Sequence, residues 1–148
     1  MNSPLYLSMI TLFAGIGIPV MASLNSELGL RLKSAPIAAS ILFIVAFIIS
    51  VSVVVVQKPN INFGDVKLPF IYYCGGIFVA FYVLSITWVA PKLGVSNAIF
   101  IILLGQIVAA VMIEHFSLLG VEQIRLTPQR ILGVTFMVVG IFLSRKQW

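Results

Sequence analysis

Residues 36–56, PIAASILFIVAFIISVSVVVV, contain no charged side chain and are long enough to cross a bilayer as one helix. A helix rises 1.5 Å per residue, so ~20 apolar residues match the hydrocarbon thickness. On the insertion scale Val, Ile, Leu and Phe each contribute about −0.3 to −0.6 kcal/mol, so this stretch enters the membrane readily. Ser34-Ala35-Pro36 supplies its start: a serine cap followed by a first-turn proline. Four further apolar segments share this character. Spans at Pro4–Leu24, Pro36–Val56, Leu68–Val89, Val95–Ile113 and Pro128–Leu143 predict five transmembrane helices in a single domain over residues 1–148. The fifth is shorter, at roughly 24 Å. The expected fold class is therefore all-α, a polytopic membrane protein.

Composition agrees. The chain is 61% apolar and 9% charged, against roughly 45–50% and 25% for a soluble domain. The net charge of +5 does not indicate nucleic-acid binding, because the basic residues sit singly or in pairs at segment ends. Headgroup contact and snorkelling account for them there. A single cysteine, Cys74, gives no intrachain disulfide and no cysteine metal site. No Lys or Arg precedes the first segment, so it does not read as a signal peptide. One His, one Cys and no nucleophile, metal or phosphate-binding pattern leave no enzyme chemistry and no cofactor to assign.

With five spans, Lys58, Lys67, Arg125 and Arg130 share one side, and Arg31, Lys33, Lys92, Arg145 and Lys146 the other. Orientation normally follows a cytoplasmic excess of Lys and Arg. A split of four against five gives almost none. The chain is expected to insert both ways up, and two copies of opposite orientation to pair. A single orientation, or an inverted partner from another chain, is the alternative.

Segment one carries Gly15, Gly17 and Pro19 near mid-membrane. Proline has no N–H to offer the carbonyl of Gly15, which predicts a kink or local opening. Beyond it the helix runs on through Asn25 and Glu27 toward Gly29. The connection to segment two is short, so the two form an antiparallel hairpin. A polar turn with Asn62, Gly64 and Asp65 precedes segment three, whose Tyr72, Tyr73 and Trp88 suit the two interfaces. Val89 to Gly94 forms a tight break. In segment four, Gly94, Ala98, Gly105 and Ala109 make a narrow small-residue stripe, and Gln106 brings an amide to mid-depth, where it needs a partner. Thr127-Pro128 reads as a cap and first-turn proline. Gly133, Met137, Gly140 and Ser144 then share one face, suited to a dimer interface or to a contact within the chain.

Three stretches resemble the drug/metabolite transporter superfamily, in particular its short five-helix bacterial members. They are Pro19-x5-Asn25-x2-Leu28-Gly29; Gly75-Gly76 through Ala90-Pro91-Lys92-Leu93-Gly94 to Gly105-Gln106; and Glu114-His115-Phe116, Leu118-Leu119-Gly120 and Leu132-Gly133 to Gly140. The family pattern often has Gln two residues after the proline; Met21 stands there. Gly133-x6-Gly140 is also similar to the dimer-forming helix of small multidrug resistance transporters. Their essential acidic residue in helix one has no counterpart at mid-segment, and Glu27 lies near its end. The resemblance implies half of a ten-helix inverted-repeat transporter fold, a second inverted copy supplying the other half, and location in the bacterial inner membrane.

The resulting expectation is a secondary-transporter subunit for a small molecule, working as an antiparallel homodimer. Candidate substrate contacts are Pro19, Asn25, Tyr82, Ser85, Trp88, Asn97 and Gln106. Each has a structural reading: Trp88 as interface anchor, Ser85 bonded within its helix, Asn97 bonded at a helix start, Tyr82 as core. Asn97 and Gln106 lie nine positions apart, or half a turn round the helix, so both cannot face one narrow cavity. Glu27, Glu114 and His115 are candidate proton or ion-coupling groups. The absence of a buried charge favours a neutral or zwitterionic substrate. A small dual-topology channel and a non-transporting assembly subunit are the rival readings.

Overall fold

The computed structural model describes residues 4–60 and 68–144. Lys67, Arg145 and Lys146 of the charge tally, and Asn62, Gly64 and Asp65 of the predicted turn, lie outside the described residues. The helices are α1 (Pro4–Arg31), α2 (Ala35–Gln57), α3 (Gly75–Leu93), α4 (Val95–His115) and α5 (Pro128–Ser144), with short 3-10 turns at Phe70–Cys74 and Leu118–Gly120. There is no strand among the described residues. Pro4–Arg31, Ala35–Gln57, Phe70–Leu93 and Val95–His115 are long and apolar enough to span a membrane; α5 is a shorter apolar helix.

Two local differences from the sequence reading have simple causes. No opening is seen at Pro19, since α1 is helical throughout and Ser23 Oγ donates to the Pro19 carbonyl at 2.8 Å. Nor does Pro91 end α3. A proline in the last turn removes only the N–H that would reach the Thr87 carbonyl, and the helix continues to Leu93. The stop is Gly94, whose φ of 83° reverses the backbone hand before α4 begins.

The described helices fall into two compact units, Met1–Lys92 and Leu93–Trp148. In the first, α1 ends in a Schellman turn. Lys33 adopts φ 53°, its N–H reaches the Leu30 carbonyl at 3.1 Å, and the Ser34 N–H reaches that of Gly29 at 3.0 Å. Ser34 then caps α2, its hydroxyl oxygen accepting from the Ile37 N–H. One residue thus closes one helix and opens the next, and the hairpin is antiparallel.

Small side chains let these helices approach. Ala22, Asn25, Ser26 and Gly29 are buried on one face of α1, Ala38 and Ala39 on α2, and Val83, Ile86, Thr87 and Ala90 on one face of α3. The large apolar residues point outward instead, Phe47 at 68% and Phe78 at 75% exposure. This inversion is what lipid produces, because hydrocarbon solvates Phe and Leu as well as protein does. Gly29 sits at the closest approach. A Cβ there would lie 3.1 Å from the Thr87 methyl, 3.5 Å from the Ala35 α-carbon and 3.7 Å from the Ala38 methyl.

In the second unit, α4 and α5 pair, and the 116–127 connection folds back on the end of α4. Glu114 binds Arg130 across the helices, and its carbonyl accepts from the Ile124 N–H at 3.0 Å. His115 Nδ1 accepts from the Leu126 N–H at 3.3 Å, and its carbonyl from Gln123 Nε2 at 3.0 Å. Thr127 caps α5 through the Arg130 N–H at 3.3 Å.

Gly29→Val should therefore lower the melting temperature in detergent by an amount corresponding to about 1–3 kcal/mol of overpacking. Gly76→Ala, where a Cβ meets nothing within 4 Å, should be neutral or stabilising by up to ~1 kcal/mol. Equal melting shifts for the two variants would contradict the close approach at Gly29.

Candidate functional site

The polar centre of the first unit is a hydrogen bond between residues 62 positions apart. Asn25 Nδ2 donates to Thr87 Oγ1 at 2.5 Å, and Thr87 Oγ1 donates to the Val83 carbonyl at 2.7 Å. Asn25 is 4% and Thr87 2% exposed. An amide at this depth has no water to bond, so α3 must supply its partner. Thr87 was absent from the sequence-level candidates. Its only signal was a hydroxyl in an apolar helix, and nothing local connects it to Asn25.

The two residues of this hydrogen bond line different cavities. An open groove of about 540 Å³ runs between α1 and α2, lined by Gly17, Met21, Leu24, Leu42, Ile49 and other apolar residues, with Asn25 its one polar side chain. A second pocket of about 440 Å³ lies where α1 ends, α2 starts and α3 ends, and Thr87 lines it. Lys33, Ser34, Trp88 and Lys92 line it too. Lys92 Nζ stands 3.4 Å from the centroid of the Trp88 ring, a cation–π contact. Both volumes fall in the small-molecule range of roughly 300–1,000 Å³.

Other expected contacts are placed as follows. Pro19 is exposed on α1. The Tyr82 hydroxyl and Ser26 Oγ are buried without a hydrogen-bond partner, an arrangement rare enough to mark them as unfilled polar groups. Ser85 is half-buried and Trp88 59% exposed. In the second unit, Asn97 is buried and its Nδ2 donates to the Leu93 carbonyl at 3.0 Å, whereas Gln106 is exposed.

The ionisable candidates are engaged in pairs or turns. Glu27 bonds Arg31 at 2.8 Å on the surface of α1. Glu114 and His115 hold the α4–α5 connection as described above. No group of three or more His, Cys, Asp or Glu able to hold a metal exists among the described residues. On α5, Val134, Val138 and Ile141 are half-buried, while Gly133, Met137, Gly140 and Ser144 form an adjacent, exposed face.

Residues 6–143 match the family model DMT_YdcZ, described as "Putative inner membrane exporter, YdcZ". The chain belongs to this family. It is thus a drug/metabolite transporter-like, integral inner-membrane protein of a family described as exporters. No curated protein and no solved structure matches the chain. Within this YdcZ-family member, the stretch Pro19-x5-Asn25-x2-Leu28-Gly29 acquires a physical meaning. Asn25 and Gly29 lie one turn apart on the buried face of α1, and both meet Thr87.

A double-mutant cycle of Asn25→Ala and Thr87→Val, read by thermal unfolding in detergent, should return a coupling of about 0.6 kcal/mol and at most ~1.7 kcal/mol, the span measured for hydrogen bonds between membrane helices. Strict additivity would show that the two side chains do not act on one another.

Proposed function

We propose that this chain is one subunit of an exporter for a small neutral or zwitterionic molecule, and that two copies of opposite orientation build the translocation path. The observation that carries the reading is the groove between α1 and α2. It is of ligand size, apolar apart from Asn25, and open along its length. A second surface laid over it would turn an open groove into an enclosed path with one polar anchor. Unfilled hydroxyls on Tyr82 and Ser26 add polar groups for a substrate or partner to satisfy. The ionisable candidates are committed elsewhere, which favours a substrate without a net charge.

Charge supports the inverted partner. Arg31 is held by Glu27 and Arg130 by Glu114. With five crossings these two arginines lie on opposite sides, so pairing removes one free cation from each and leaves the sides nearly balanced. The exposed Gly133–Gly140 face of α5 has the small-residue spacing at which a helix from another copy approaches closely. Two such chains would supply the two inverted halves of a ten-helix transporter.

Orientation reporters at both termini should give comparable signals from each side of the membrane. Cross-linking reads the pairing directly. In a Cys74→Ser background, an antiparallel contact through α5 brings Gly133→Cys of one copy to Gly140→Cys of another, so co-expression of the two variants should yield a covalent dimer that neither gives alone. Self-linking of each variant by itself would mean a parallel pair and would refute the inverted dimer.

A further inference from the structure

The pocket at the end of α1 has no place in the transport reading, and its chemistry is different. Lys33 comes from the α1–α2 turn and Lys92 from the last turn of α3, so separate elements bring two lysines to the lining of one 440 Å³ cavity. No carboxylate lines it. Arg31, two residues from Lys33, is paired with Glu27, whereas Lys33 has no ion-pair partner among the described residues. Lys92 has a ring beneath it rather than an acid. The wall between the lysines is the start of a long helix. Ser34 and Ala35 open α2, where the Ala35 N–H and the helix dipole favour negative charge. The Ser34 oxygen accepts from Ile37, which leaves its O–H free to donate. Thr87, committed to Asn25 and Val83, forms the floor. The charged groups in the pocket are therefore both cations. By position the pocket lies at one end of three helices, at headgroup level, beside a tryptophan of the type that occupies that layer.

We propose that this pocket binds a phosphate group, clamped between Lys33 and Lys92 against the N-terminus of α2. Phosphate fits better than carboxylate because its several oxygens can face two ammonium groups, a hydroxyl and a backbone N–H together. The group reaches the pocket either on an anionic phospholipid or on a phosphate-bearing solute, and the test separates the two.

Trp88 is the reporter. The chain has two tryptophans, so Trp148→Phe leaves Trp88 alone beside the site. The protein is reconstituted in phosphatidylcholine vesicles containing increasing fractions of phosphatidylglycerol with brominated chains, and Trp88 emission is taken relative to the same mixture with unbrominated chains. That ratio removes any direct effect of a lysine substitution on the ring. Preferential quenching by phosphatidylglycerol is expected. Lys33→Gln and Lys92→Gln should each reduce the preference about fivefold, whereas Lys58→Gln, at the other end of α2, should leave it intact. Inorganic phosphate added at constant ionic strength assigns the source. Quenching that persists identifies the lipid headgroup, whereas relief of quenching, or a saturable Lys33-dependent change in Trp88 emission without any lipid preference, identifies a soluble phosphate. The proposal is overturned if the lysine variants quench like the parent, or if neither phosphatidylglycerol nor phosphate affects Trp88. Either result leaves the exporter reading standing, because the α1–α2 groove is a separate cavity.

Discussion

A polar side chain inside a membrane must find its partner within protein, and in the first unit that requirement falls on Asn25. Its amide donates to the Thr87 hydroxyl, which in turn donates a hydrogen bond to the Val83 carbonyl. The chain of bonds ties α1 to α3 at one register. Apolar surface cannot do this in lipid, because sliding one greasy helix along another costs little. The close approach at Gly29 and the small residues of the buried faces follow from the same contact. A bulky residue at any of these positions would separate the donor from its acceptor.

The same hydrogen bond is shared by both cavities. Asn25 is the one polar group of the α1–α2 groove, and Thr87 is the floor of the lysine-lined pocket. A ligand that draws Asn25 away would free the hydroxyl beneath the other site, and an anion held by Lys33 and Lys92 would bear on the helix ends that position it. Membership of an exporter family gives this arrangement a context, since transporters need helices that hold one register firmly yet can be persuaded to leave it. The second unit, taken by itself, spends its ionisable groups differently. Glu114, His115 and Arg130 tie a connection to a helix end.

Much of the helical plan was legible in the chain. Ser34 and Thr127 were readable as caps because capping is local, a hydroxyl bonding an N–H three residues on. Neither Pro19 nor Pro91 interrupts the helix that contains it. A proline removes one hydrogen bond, and a membrane helix tolerates that where no water competes for its remaining bonds. Gly94 was the true stop, because only the backbone sign distinguishes a pause from a reversal. Among the candidate contacts, Asn97 makes a local bond to the Leu93 carbonyl at the start of α4, while Asn25 finds a partner 62 residues away.

Hydropathy, cap chemistry and family pattern are written along the chain, and they were enough to read a helical membrane protein of transporter type. Tertiary structure alone decided that Thr87 answers Asn25, that Gly29 is the point of closest approach, and that Lys33 and Lys92 share a pocket. The physical reason is distance along the chain. Periodicity reports which face a residue occupies on its own helix, whereas the identity of its partner depends on how helices dock 62 residues apart.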